Sequence, residues 1–284
     1  LSFSLFLSLS LALCISLSVS LSVSLSVSLC LALPLCDSII NAHNGSVKRK
    51  MQVMENVLKK NGLQIENQGE VTKVGAAVDA SLPVFEKAVV EGVDLLLVHH
   101  GMFWQGAQPL TGAFYQKTKL AFEAGMALYS AHIPLDIHPE WGNNKQLANA
   151  IGMDDAEAFF DWKGIQLGMC QKMDLSLADL TSSIEHAVGG PVHVCAGGAD
   201  QVGKVAIITG GAGSEVAAVA ACGIDTFITG EGPHWSFPMA EELGINLIYA
   251  GHYATETFGV RVLAEHLEQK FGINACFLDH PTGL

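Results

Sequence analysis

At 284 residues, half of them hydrophobic, the chain has ample apolar material for one large core or two smaller ones. Its 28 acidic against 15 basic side chains give a formal charge of -13, which argues against nucleic-acid and membrane partners and favours a small or metal-bridged ligand. Seven Cys without any C-x-x-C spacing exclude a zinc ribbon and a thioredoxin-like redox pair, leaving Cys170, Cys195, Cys222 and Cys276 as reduced structural thiols.

Residues 1–36 carry no charged side chain and alternate Leu or Val with Ser. The run lacks the basic start and continuous apolar centre of a signal peptide, and its serines weaken a membrane-span reading. It reads as translated repetitive DNA, since a CT repeat taken in triplets alternates Leu and Ser codons, and is set aside from the fold. Residues 37–50, with Lys48, Arg49 and Lys50, read as a linker, and Met51 as the start of the folded part.

From there the elements follow one another with an internal echo. Residues 73–104 run through an apolar β-type stretch, a Gly/Ser/Asp-rich turn, an Ala/Val-rich helix ended by Gly, a second apolar stretch, and the cluster His99-His100-Gly101 closed by Trp104. A further strand leads to His132 and Asp136, and residues 153–201 read as a short connector. Residues 204–235 then lie without gaps on 73–104, with Gly230-Glu231-Gly232 at the polar cluster and Trp235 closing it; another strand leads to His252 and Glu256. The expected fold is α/β: two similar intertwined lobes from an internal duplication, residues 51–152 and 202–284, with helices packed on mostly parallel sheets. Such sheets bind ligands beyond the carboxyl ends of their strands, where these polar residues fall.

Adjacent strand residues point to opposite faces, so His99 and His100 suit two neighbouring metal ions better than one; the alternative is one packed and one hydrogen-bonded imidazole. Glu256, four residues after His252, shares its helical face and can bridge two ions, or it is an ordinary acidic residue near the positive end of a helix dipole. Asp136 is a further ligand or a surface turn residue. Three imidazoles with two carboxylates suit zinc, iron, manganese or nickel better than calcium or magnesium. Two such ions about 3.5 to 4 Å apart can share a water, lower its pKa and present hydroxide to an electrophile, which makes hydrolysis the expected reaction class.

His132, His138, Glu231, His234 and Trp235 fall in the same clusters, as pocket-lining or structural residues. The turn 210–214 resembles an anion-cradling nest but lacks the Lys of a P-loop, and the nearest cation among the site blocks is Lys145. Trp141 and Trp162 read as packing residues, while His186, His193, His266 and His280 receive no role.

The blocks LLLVHHGMFW, AHIPLDIHPEWGNN, TGEGPHW and AGHYATETFGV, in this order, resemble the signatures of the Nif-three-like dinuclear metal-centre family, whose bacterial members are named GTP cyclohydrolase type-two homologues. The resemblance runs from about Met51 to Leu284. It implies that His99, His100, Asp136, His252 and Glu256 are the metal ligands, with Glu256 bridging two divalent ions. It also implies two α/β lobes per subunit and a ring-shaped homohexamer whose sites face an internal cavity. One departure is in the first block, where Glu55-Asn56 and Asn61-Gly62-Leu63 keep only part of a Trp-Asp-Asn-x-Gly-Leu-like stretch and supply no metal ligand. The implied function is cytoplasmic metal-dependent hydrolysis of a small nucleotide-like substrate, such as opening the imidazole ring of GTP with metal-bound hydroxide. The alternative is a non-catalytic metal-binding hexameric scaffold or metal-handling protein. A secreted protein, the third reading, would carry disulfides among the four Cys of the folded part.

Overall fold

The computed structural model describes residues 61–67 and 71–284; the segment 1–36, the linker 37–50 and Met51 lie outside the described residues. The first half runs β1 (Gly62–Ile65), β2 (Lys73–Asp79), α1 (Leu82–Val90), β3 (Leu95–His100), α2 (Gly112–Ala124) and β4 (Ala127–Ser130). A short helical turn α3 (Ile133–Asp136) and α4 (Asn143–Ala150) follow. Next come β5 (Glu157–Trp162), β6 (Ile165–Ser176), α5 (Leu177–Val188), β7 (His193–Ala196) and β8 (Gln201–Ile208). A 3-10 turn (Gly213–Glu215) enters α6 (Val216–Ala221), then β9 (Thr226–Thr229), α7 (Ser236–Leu243), β10 (Asn246–Tyr249), α8 (His252–Phe271) and β11 (Asn274–Phe277).

These strands form a five-stranded sheet, β1-β4-β3-β2-β11, and a six-stranded sheet, β5-β6-β8-β9-β10-β7. The first is parallel except for β1, as expected. The second is parallel only through β8, β9 and β10, with antiparallel neighbours on both sides. Residues 153–201, expected as a connector, instead hold β5, β6, α5 and β7. The reason is local. Lys163 and Gly164 both take positive φ, 54° and 87°, the conformation of a two-residue hairpin turn, which folds β6 back antiparallel on β5. Much of both strands is only partly buried, so neither shows the continuous apolar run of a central strand.

The duplication is written in backbone hydrogen bonds. Val74 stands opposite Leu95, and with the offset that carries Lys73 onto Lys204, Val205 stands opposite Thr226. The Asp94 carboxylate accepts the amides of Thr72 (2.8 Å) and Lys73 (3.0 Å), and Asp225 accepts those of Gly203 (3.1 Å) and Lys204 (2.5 Å). In each copy, one aspartate before the second strand thus clamps the start of the first. The echo extends further than the sequence alignment: β7 pairs with β10 as β1 pairs with β4, both antiparallel.

Each lobe lends a helix to the other. Val260, Leu263, Ala264 and Leu267 of α8, which follows the second copy, pack on Val74, Leu97 and Tyr129 of the first sheet. In return, Leu147 and Ala148 of α4 pack with Val205, Ile207, Ile228 and Ile248 of the second. The two helices meet where Gly259 donates its amide to Asn143 Oδ1 at 2.7 Å, an approach that a Cβ at Gly259 would block. The outer sheet faces are covered by α1 and α2 through Phe85, Ala88 and Ala121, and by α6 and α7 through Val216, Val219 and Ala240. The exchange carries the start of α8 to the carboxyl end of β3. Among the described residues, no helix is long and apolar enough to cross a membrane.

Candidate metal centre

Strand β3 is buried on both faces, hence its apolar run, and it ends on His99 and His100. Helix α8 begins at His252, directly after Gly251 at φ 85°, and Glu256 follows one turn later on the same face. Asp136 closes α3; its Oδ1 accepts from Asn143 Nδ2 at 2.8 Å and faces the Thr209 hydroxyl at 3.4 Å. The interlocked lobes bring these five side chains together.

The three imidazoles share one orientation. Nδ1 of His99 donates to the Ala131 carbonyl (2.8 Å), Nδ1 of His100 to the Asp79 carboxylate (2.9 Å) and Nδ1 of His252 to the Glu231 carboxylate (2.8 Å). Each Nε2 then faces Glu256. Oε1 lies 3.5 Å from His99 Nε2, while Oε2 lies 3.3 Å from His100 Nε2 and 3.1 Å from His252 Nε2. Asp136 Oδ1 is also 3.5 Å from His99 Nε2. Ligand atoms of His99, Asp136 and Glu256 lie within 4.8 Å of one another, as do those of His100, His252 and Glu256. A third group of the same compactness adds His132 to His99 and His100.

Two buried atoms among these, His99 Nε2 and Glu256 Oε2, have no hydrogen bond. A buried polar atom left so costs about 1 to 3 kcal/mol, which coordination to a cation would offset. Imidazoles whose Nδ1–H is tied to a carbonyl or carboxylate present a fixed Nε2 lone pair, as metal-ligating histidines do. The group can therefore hold a metal ion.

Charge shapes the site as strongly as geometry. Burial alone would lower the pKa of His99, but the Asp136 and Glu256 carboxylates outweigh it and raise the ring to about 9. His252 is likewise lowered by burial and raised more by Glu256 and Glu231, also to about 9. For Glu256 burial works upward, yet the surrounding imidazoles of His99, His252 and His100 hold it well below the usual carboxylate range. Asp136 is pushed up by burial and by the charge of Glu256, with His99 pulling the other way.

The glycine-rich turn after β8 serves this carboxylate. Gly210 sits at φ 71° with its amide donated to Thr255 Oγ1 at 3.1 Å, and any Cβ there would collide with Glu256 Oε1. Close approach, not phosphate binding, explains its first glycine.

His100, Asp136, His252 and Glu256 open onto a cavity of about 1010 Å³ with apolar and aromatic walls that include Phe103, Trp104, Trp162 and Leu167. His132 lines it, its ring 4.8 Å from that of His99. Glu231 acts through His252. His234 and Trp235, expected near the pocket, are exposed and absent from its wall, because the chain turns outward there to begin α7. His138 is buried elsewhere; its Nδ1 accepts the amides of Glu140 and Trp141, and its ring stacks on Trp141. Lys145 bonds the Asp154 carbonyl, and the cation on the cavity wall is Lys163, beside Trp162, which the sequence had suggested was packing.

Sequence reasoning missed Asp79 and Asn61. Asp79 ends β2 opposite His100, so the end of the first β-run was the available signal. Asn61, in the reduced first block, accepts the His132 amide at 2.6 Å and lines the cavity. Asn61 thus helps to position the site, while Glu55 and Asn56 of the same block lie outside the described residues.

The structure is similar to that of TTHA1606 from Thermus thermophilus, with a TM-score of 0.72 and 41% identity, covering 83% of this chain and 95% of that one. In sequence the chain is 42% identical over 226 residues to a Deinococcus radiodurans protein and 39% identical over 224 residues to one from Archaeoglobus fulgidus, both named GTP cyclohydrolase 1 type 2 homolog. The matches cover 79% of this chain and 86% and 90% of those proteins. The profile of one family, Duf34/NIF3 (NGG1p interacting factor 3), matches residues 37–282, and the chain belongs to that family.

Proposed function

We propose that this chain is a metal-dependent hydrolase of a small, nucleotide-like substrate, built around two divalent ions drawn from zinc, iron, manganese or nickel. His99, Asp136 and Glu256 Oε1 would hold one ion, and His100, His252 and Glu256 Oε2 the other, with Glu256 shared. The observation that carries this reading is the common orientation of the imidazoles, each Nδ1 committed outward and each Nε2 turned on one carboxylate. Bound divalent ions supply Lewis acidity, lowering the pKa of water and polarising an electrophilic carbon or phosphorus.

The chain's own residues do the rest. Asp79 and Glu231 keep two rings in register, and the aromatic walls limit water around a bound substrate. His132, on the cavity wall beside His99 and His100, is placed to move a proton at the reacting end. The names of the relatives support hydrolysis of a nucleotide-like compound. Assembly into a homohexameric ring belongs to the same proposal, supported by exposed Leu110, Tyr115 and Phe122 on and beside α2.

Metal analysis combined with a screen of nucleotides and phosphoesters tests the reading. Wild type is expected to bind two equivalents of metal and to lose turnover on chelation, with Glu256→Ala losing both. A full complement of metal without turnover would instead favour the metal-binding scaffold, and wild type without metal overturns both.

A further inference from the structure

The metal centre does not account for the tip of the β5–β6 hairpin. Trp162 and Lys163 sit on the wall of the same cavity as His100, Asp136, His252 and Glu256, and Lys163 is the only Lys or Arg among the described residues that line it. Its ammonium lies 4.0 Å from the centre of the Trp162 ring, a cation held over an aromatic face.

The tip is a built feature. Lys163 adopts φ 54°, a left-handed conformation that Gly or Asn would take at less cost, and the turn is closed by the Gly164 amide donating to Asp161 Oδ1 at 3.0 Å. At its base, Asn144 Nδ2 donates to the Leu167 carbonyl (2.8 Å) while Asn144 Oδ1 accepts the amide of Thr209 (2.9 Å), whose hydroxyl faces Asp136. The polar network that steadies a carboxylate of the metal centre therefore also anchors the hairpin.

We propose that Trp162 and Lys163 form the specificity element of this cavity, selecting a planar heteroaromatic ligand that carries one anionic group, a phosphate or a carboxylate. The inference rests on the hydrolase reading for the reacting end and adds what the other end recognises. Phe103, Trp104 and Trp162 offer flat apolar surface to a ring, and the Lys163 ammonium offers one charge-assisted contact to its anion.

Paired probes differing only in the anion test this on the full chain loaded with manganese: guanosine against its 5′-monophosphate, and nicotinamide against nicotinate, titrated by tryptophan fluorescence. In at least one pair the anionic member is expected to bind about tenfold more tightly, the scale of one charge-assisted hydrogen bond. Lys163→Ala should erase that preference and leave the manganese content unchanged, while Trp162→Ala should weaken both members. Equal affinity within both pairs, or a preference that survives Lys163→Ala, overturns the proposal. Failure of the chain to take up manganese would sink the hydrolase reading instead, and the probe pairs are then read on the metal-free protein.

Discussion

The three imidazoles around Glu256 differ in their outward partners, and those partners set how firmly each ring is aimed. Asp79 holds His100 through a part-buried contact of 2.9 Å. Removing such an outer partner lowers metal affinity by about 10- to 100-fold, so Asp79→Ala should show that loss in a chelator competition while the far-ultraviolet circular dichroism is unchanged. The pH dependence follows from the raised rings. In the metal-free protein His99 and His252 stay protonated up to about pH 9, and a proton on Nε2 must leave before that nitrogen can bind a cation. Metal affinity should therefore rise with pH up to about 9 and flatten above it, with protons released on binding; an indicator dye in weak buffer would record the release. The paired imidazoles ending an apolar run and the four-residue spacing of His252 and Glu256 were visible in the sequence, while Asp136 read equally as a ligand or a surface turn residue. Asp79 and Asn61 were not visible, because an acidic or amide residue at a strand end acquires meaning only from the ring or amide that folding puts beside it.

Helix α8 joins the two scales. Its first two turns carry His252 and Glu256, and its inner face fills the core over the first sheet, where Leu263 is fully buried. Leu263→Ala should cost about 2 to 5 kcal/mol in urea unfolding, the range for a truncated core leucine. Gly210→Ala should act differently, costing about 1 to 3 kcal/mol through strain at a left-handed position and displacing Glu256, so that metal content falls with stability. The helices and central strands were legible from periodicity and from glycines placed after helices, as Gly125 and Gly244 are. The β5–β6 hairpin was not. Its exposed, mixed composition carries little periodic signal, and the Lys163-Gly164 turn that defines it was the single local clue.

At the scale of the whole molecule, α2 leaves apolar side chains in solvent. Tyr115 and Phe122 stand seven residues apart on one helical face, 52% and 68% exposed, with Leu110 at 59% just before the helix. An assembly formed through this face should dissociate in Tyr115→Asp/Phe122→Asp, lowering the mass measured by light scattering without altering the thermal transition of the subunit. An unchanged mass would place the contact elsewhere. By itself the sequence determined the duplication, the α/β class and the residues that end the strands, because repeat, hydrophobic period and turn chemistry are local properties of a chain. Only the tertiary structure decided that the lobes exchange helices, that residues 153–201 build half of a sheet, and which side chains face the cavity, because each depends on contacts between segments far apart in sequence that no local pattern encodes.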